Sequence, residues 1–114
     1  MQTLAYPFAE AERLERAIGA GLRGVVLLLH TFSPDVYETL HGAGTWAPFA
    51  AGVERLEASS LERGLHLVVH DANFEATLGA ALRRGWTLDE VSLLEGAADP
   101  AFVEAATGLT PRIV

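Results

Sequence analysis

RGVVLLLH, residues 23–30, is the most strand-like stretch of this sequence. Val25 to Leu29 is a continuous run of valine and leucine without the alternation of a half-exposed strand, a pattern typical of a strand covered on both faces. RGLHLVVH, residues 63–70, repeats the arginine, the glycine and the final histidine at an offset of 40 residues. Any helix–glycine–strand unit can look like this. The alternative is two equivalent units side by side, with His30 and His70 at the same end of adjacent parallel strands.

Helical patterns lie on both sides of the first strand. Apolar positions recur at helical spacing from Phe8 to about Ala20. Ser33-Pro34-Asp35 offers a capping hydroxyl, a proline suited to the first helical position and an acid near the positive end of the helix dipole. A short helix should therefore run to about Leu40, and Gly42 should stop it.

Two further helices should flank the second strand, Leu65 to His70. Thr45 should open the longest helix, which we expect to end at Gly64. Its apolar face should carry Phe49, Val53, Leu56 and Leu61. After the strand, Asp71 or Asn73 should cap the next helix. The inner face of that helix should carry Phe74, Leu78, Ala81 and Leu82, with Arg83 and Arg84 at its negative end.

The last third of the chain is ambiguous at one point. Thr87-Leu88-Asp89-Glu90 has the spacing of a helix capping box, but Val91 to Leu94 lies where an alternating fold needs a strand, and we predict the strand. Asp99-Pro100 should start a last short helix that Gly108 ends. Edge strands are expected at the two termini, at Gln2–Tyr6 and Arg112–Val114.

The alternation of helices and strands predicts a single small α/β domain over residues 1–114. We expect a mainly parallel or mixed sheet of four to five strands with helices packed on it. The alternative is an α+β fold with a mixed sheet. A chain of 114 residues, half of them hydrophobic, is long enough for a core that needs no disulfide or metal.

Composition excludes several classes of function. The net charge of −7, without any basic run, argues against nucleic acid as a partner. All eight basic residues are arginines and there is no cysteine, so lysine Schiff bases, a P-loop lysine and thiolate chemistry are excluded, and we expect no cofactor.

The longest aliphatic run has five residues and no signal peptide is recognisable, so we expect no membrane contact and a cytoplasmic location. The scarcity of Asn, Gln and Met resembles thermophile proteins, although a GC-rich genome explains the composition equally well.

Two sequence motifs do not indicate their usual function here. Gly19, Gly21 and Gly24 match the dinucleotide-binding spacing, but here a helix precedes them and a strand follows, the reverse of the order that motif needs. His66 and His70 have the spacing of a helical metal pair, but on a strand they lie roughly 13 Å apart. We therefore expect His66 to be a partly exposed histidine near the beginning of its strand.

The candidate ligand-binding residues follow the two predicted central strands: His30, Ser33, His70, Asp71 and Asn73. Ligands in open α/β sheets bind beyond the carboxyl ends of the strands, where helix N-termini point. A small polar or anionic ligand could bind there. The two histidines and Asp71 could also form an open metal site, or a histidine with Ser33 and Asp71 a hydrolase-like triad. No serine has the nucleophile-elbow pattern, we assign no metal, and the same residues are also common as structural caps.

Two functional hypotheses emerge, and the sequence leaves open whether the protein is an enzyme. The first is a non-catalytic interaction or assembly domain that forms a homo-oligomer, most simply a dimer, because closed twofold dimers are the commonest oligomers. The second is a small-molecule or anion-binding protein or enzyme that uses His30 and His70.

Overall fold

Strands and helices alternate along the whole chain in the computed structural model, which describes residues 1–114. The strands are β1 Gln2–Thr3, β2 Gly24–Leu29, β3 Glu62–Val69, β4 Thr87–Leu93 and β5 Arg112–Ile113. The helices are α1 Ala11–Gly19, α2 Pro34–His41, α3 Trp46–Ala58, α4 Phe74–Arg83 and α5 Pro100–Thr107, and a 3-10 helix covers Tyr6–Ala9. The predicted α/β class is confirmed.

All five strands are parallel, and their order in the sheet is their order in the sequence, β1-β2-β3-β4-β5. Each strand therefore lies beside the next one along the chain. Because strand–helix–strand connections of this kind are right-handed, four successive connections in one direction place every helix on the same face of the sheet. The all-parallel pairing rules out the α+β alternative.

The hydrophobic core lies on that one face. Along β2, Val25, Leu27 and Leu29 are buried and belong to a continuous core of 21 residues, while Val26 and Leu28 are only half-buried. Val68 in β3 is the one buried hydrophobic residue that lies outside this core. The register places these three non-core residues on the opposite side of the sheet, which we call the open face. It carries Gln2, Val26, Leu28, Glu62, His66, Val68, Asp89, Glu90, Ser92 and Arg112.

The expectation that Val25 to Leu29 is covered on both faces is wrong. An apolar run shows that both sides of a strand carry apolar side chains, but it does not show whether another layer covers each side. Here the sequential strand order leaves one side without a helix, so alternate residues of β2 keep contact with solvent.

Several predicted helix bounds also need correction. The first helix starts at Ala11 instead of Phe8, because the chain first makes the 3-10 helix that contains Pro7. The longest helix ends at Ala58 instead of Gly64, and the Ser59 hydroxyl there donates to the Leu56 carbonyl and accepts from the Leu61 amide. Leu82, assigned to the inner face of α4, is 50% exposed.

The last third of the chain folds as a strand followed by a helix. β4 spans Thr87–Leu93, so the capping-box interpretation of its first four residues is wrong. The Asp99 carboxylate accepts a hydrogen bond from the Ala101 amide and caps α5, and Gly108 ends that helix with a φ of 76°, as predicted. None of the helices has the length and apolar character needed to cross a bilayer.

Candidate functional site

His30 and His70 follow β2 and β3, at the carboxyl edge of two adjacent parallel strands. Their ring centroids are 6.4 Å apart. Paired residues of β2 and β3 are 38 positions apart in the sequence, as in Leu29 and Leu67. His30 and His70 are 40 positions apart, so His70 lies two residues beyond the position opposite His30. Its Nε2 lies 3.1 Å from the His30 carbonyl oxygen, which can only accept a hydrogen bond. The proton of the neutral His70 ring therefore sits on Nε2.

Four of the five candidate residues line one cavity of about 390 Å³ between the beginnings of α2 and α4: Ser33, His70, Asp71 and Asn73. His30 does not line it. The hydroxyl of Ser33 makes no capping bond, contrary to expectation. The Thr31 hydroxyl accepts a hydrogen bond from the Ser33 amide at 3.0 Å. The Asp71 carboxylate does the same for the Asn73 amide at 2.9 Å. The side chains of Ser33 and Asn73 are thus left free of capping bonds at this cavity.

Neither the metal site nor the hydrolase-like triad is supported by this geometry. No group of three His, Cys, Asp or Glu side chains is placed to hold a metal ion. The Ser33 hydroxyl makes no hydrogen bond to His70, whose Nε2 lies against the His30 carbonyl and whose Nδ1 lies 3.6 Å from the Asp71 carboxylate. The sequential strand order also lacks the reversal point at which open α/β sheets form their ligand crevice.

His30 is surrounded by other imidazoles. The ring centroid of His41 lies 4.8 Å away in an edge-on arrangement, and that of His70 lies 6.4 Å away. Burial, followed by repulsion from His41, His70 and His66, lowers the pKa of His30 to about 4. His30 is therefore neutral at pH 7. The anion-binding hypothesis thus lacks one of the two positive charges that it requires.

His41 and Tyr37 belong to this edge of the sheet and were not selected from the sequence. Tyr37 is stacked on Phe49 with a centroid distance of 4.4 Å, and its ring lies 4.3 Å from that of His41. A spacing of four residues puts Tyr37 and His41 on one face of a helix. That spacing, directly after a buried strand, is the signal that could have identified them.

A chain of polar side chains crosses the open face. Gln2 Nε2 lies 2.6 Å from His66 Nδ1, and His66 Nε2 lies 2.7 Å from the Ser92 hydroxyl. His66 is only 6% exposed, so the expectation of a partly exposed residue is wrong. With the Gln2 amide donating to Nδ1, Nε2 carries the proton and donates to Ser92. A ring in this tautomer cannot act as a base toward Ser92, so this pair satisfies a buried histidine and does not form a nucleophile.

The remainder of the open face is apolar on β2 and the end of β3 and charged along its margins. Val26 and Leu28 on β2 are half-buried, and Val68 on β3 is 8% exposed. Glu90 and Arg112, both exposed, lie toward the β5 edge, and Glu62 and Asp89, also exposed, lie where β3 and β4 begin. An apolar centre with a polar rim is the usual composition of a protein interface.

Comparison of the chain with known protein families, with curated proteins and with solved structures finds no match. Its function must therefore be inferred from the geometry of two regions, the carboxyl edge and the open face.

Proposed function

We propose that the chain is a non-catalytic assembly domain that buries its open face against a second copy of itself. The observation that carries this proposal is the uncovered face of an all-parallel sheet. Parallel sheets occur almost only with both faces covered. A sheet with helices on one side alone therefore needs a partner on the other.

The chemistry of the open face favours burial. Val26 and Leu28 are in partial contact with water, and their removal from water on association is favourable. The polar groups at the centre of the face, His66 and Ser92, are already hydrogen-bonded to each other, and Gln2 bonds the second ring nitrogen. Their burial against a partner therefore leaves few unpaired donors or acceptors, and the desolvation cost is small.

The size and charge of the face determine how a second copy can pair with it. At roughly 3.3 Å per residue and 4.8 Å between strands, the five strands cover a planar area of roughly 400 Å². This is about half of the roughly 800 Å² per partner that a stable dimer buries, so the flanking loops must contribute to the interface. The face carries three carboxylates, Glu62, Asp89 and Glu90, and one base, Arg112, so a twofold pairing must place Arg112 of each copy against a carboxylate of the other.

Association through the sheet edges is disfavoured. β1 and β5, the two edge strands, contain two residues each. Edge strands this short offer few backbone groups for pairing with another chain. The open face is therefore the more suitable surface for association.

The experiment compares two leucine-to-glutamate variants by sedimentation velocity. Leu28→Glu places a charge at the centre of the open face, and Leu82→Glu places the same charge on the outer surface of α4, where the leucine is 50% exposed. We expect wild type and Leu82→Glu to sediment as dimers and Leu28→Glu as a folded monomer. Arg112→Glu, at an exposed position, should weaken the dimer without affecting the fold. Dimers of unchanged strength in all three variants, or monomers throughout, would contradict the proposal.

A second candidate function is the binding of a small, neutral, polar molecule in the cavity at the carboxyl edge. The observation that favours it is the pair of cap residues, Ser33 and Asn73, whose side chains make no capping bond there. No arginine lines the cavity, and Asp71 is its one charged residue, so a neutral ligand suits it better than an anion. Titration with glycerol should shift the NMR resonances of His70 more than titration with phosphate. A larger response to phosphate would favour the anion instead.

A further inference from the structure

A second cavity, of about 320 Å³, lies between the 3-10 helix, the end of α2 and the beginning of α3. Tyr37 and His41 line it from α2, Leu4 and Tyr6 from the N-terminal segment, and Thr45 and Pro48 from the region where α3 begins. We propose that this cavity binds a small neutral molecule that consists of one apolar ring and one hydroxyl group. The cavity contains no residue of the open face, but it adjoins that face, because Leu4 and Tyr6 also border Gln2 and Leu28.

The polar group of the cavity is the hydroxyl of Tyr37. The residue is 5% exposed, and its hydroxyl has no hydrogen-bond partner within the protein. His41 Nε2 is the one side-chain polar atom that is both fully buried and without a partner. The Tyr37 hydroxyl also lacks a partner, so it must keep some accessible surface. A buried tyrosine that lines a cavity and keeps its hydroxyl accessible presents both a donor and an acceptor to a ligand. Burial raises the pKa of Tyr37, so the phenol remains neutral.

His41 provides the second observation at the same corner. Its Nε2 is buried without a partner, and a buried polar atom left in this state costs about 1–3 kcal/mol. Gly42 and Gly44 follow directly, with φ values of 108° and 79°. No atom lies within 4 Å of the position that a Cβ would take at either glycine, so both glycines border open space. The loop itself is held by hydrogen bonds from the Gly42 amide to the Glu38 carbonyl and from the Thr45 hydroxyl to the Gly42 carbonyl. Because His41 and Tyr37 both line the cavity, a ligand bound to the Tyr37 hydroxyl would lie close to the His41 ring.

The remaining walls define the size and charge of the ligand. Leu4, Tyr6 and Pro48 are apolar over most of their surface, and no aspartate, glutamate or arginine lines the cavity. A charged ligand would therefore be left without a partner. The volume is at the small end of ligand pockets and accommodates a single ring with few substituents. A phenol or a cyclic alcohol has this combination of size, neutrality and one hydroxyl group.

The test uses phenol as the probe and toluene, which lacks the hydroxyl, as its matched control. We expect phenol to shift the imidazole NMR resonances of His41 in a saturable manner. Tyr37→Phe keeps the ring and removes the hydroxyl, so it should weaken phenol binding about fivefold, the equivalent of one hydrogen bond. Toluene should bind wild type and Tyr37→Phe equally.

The second control is Tyr6→Phe. Tyr6 lines the same cavity but is 55% exposed, and the loss of its hydroxyl should leave phenol affinity unchanged. The proposal is overturned if phenol gives no saturable shift at His41. It is also overturned if Tyr37→Phe binds phenol as tightly as wild type, or if Tyr6→Phe weakens binding as much as Tyr37→Phe.

Discussion

His30 illustrates at the scale of one residue how a buried position determines charge. Its ring is partly removed from water and has two other imidazoles as neighbours, so its protonated form is disfavoured and its pKa falls to about 4. In an unfolded chain the same residue has a pKa of about 6.5. The difference links this one side chain to the pH dependence of stability.

Stability should fall as the pH drops from about 6.5 to 4. In this range the unfolded chain binds a proton at His30 that the folded protein does not bind, so protonation favours unfolding. His30→Gln removes this proton uptake. Because water still reaches part of the ring, we expect the variant to lose about 1–2 kcal/mol less than wild type across this range. Urea unfolding at pH 7 and pH 4 measures the difference, and equal losses in both proteins would show that His30 titrates normally.

Two helical glycines should respond in opposite directions to alanine. A Cβ at Gly52 in α3 would collide with the Ala5 carbonyl oxygen, where the backbone has a φ of 68°, so Gly52→Ala should destabilise by about 1–3 kcal/mol. A Cβ at Gly79 in α4 would meet only the mobile end of Arg83, so Gly79→Ala should stabilise by about 0.5–1 kcal/mol. Chemical denaturation decides the signs. Stabilisation by Gly52→Ala would mean that α3 does not approach Ala5 this closely.

At the scale of secondary structure, the sequence predicts an element correctly where only one structural interpretation fits a segment. The apolar run predicts β2. A proline at the start and a glycine after the end predict α2 and α5. The end of α3 is predicted incorrectly, because Gly64 has the pattern of a residue that ends a helix but lies inside β3. A glycine is needed there because the Asp89 side chain leaves no space for a Cβ. Sequence spacing does not reveal this contact between strands.

Two helix caps that look alike in sequence should differ in energy. The Asp99 side chain accepts a hydrogen bond at 3.0 Å from the Ala101 amide, whereas Ser33 makes no such bond. Asp99→Ala should therefore cost about 1 kcal/mol, and Ser33→Ala should cost close to nothing. Thermal unfolding of both variants measures this difference. A loss at Ser33→Ala equal to that at Asp99→Ala would show that the Ser33 hydroxyl does cap α2.

At the scale of the whole molecule, strand order decides which surface is left for a partner, and it is the feature that the sequence does not encode locally. One of the two interpretations of the repeated RGVVLLLH and RGLHLVVH patterns, two equivalent units side by side, places His30 and His70 near each other, and in the structure their ring centroids are 6.4 Å apart. The open face could not be predicted, because the valines and leucines of β2 look the same whether one or two layers cover them. Only the sequential order of five parallel strands leaves Val26, Leu28 and Val68 without a covering layer.

The mass of the unmodified protein in solution decides whether a second copy covers the open face. Static light scattering at tens of micromolar, at pH 7 and moderate salt, should give twice the chain mass of 12.2 kDa. A mass of 12.2 kDa across this concentration range would show that the open face remains uncovered, and would contradict assembly through this surface.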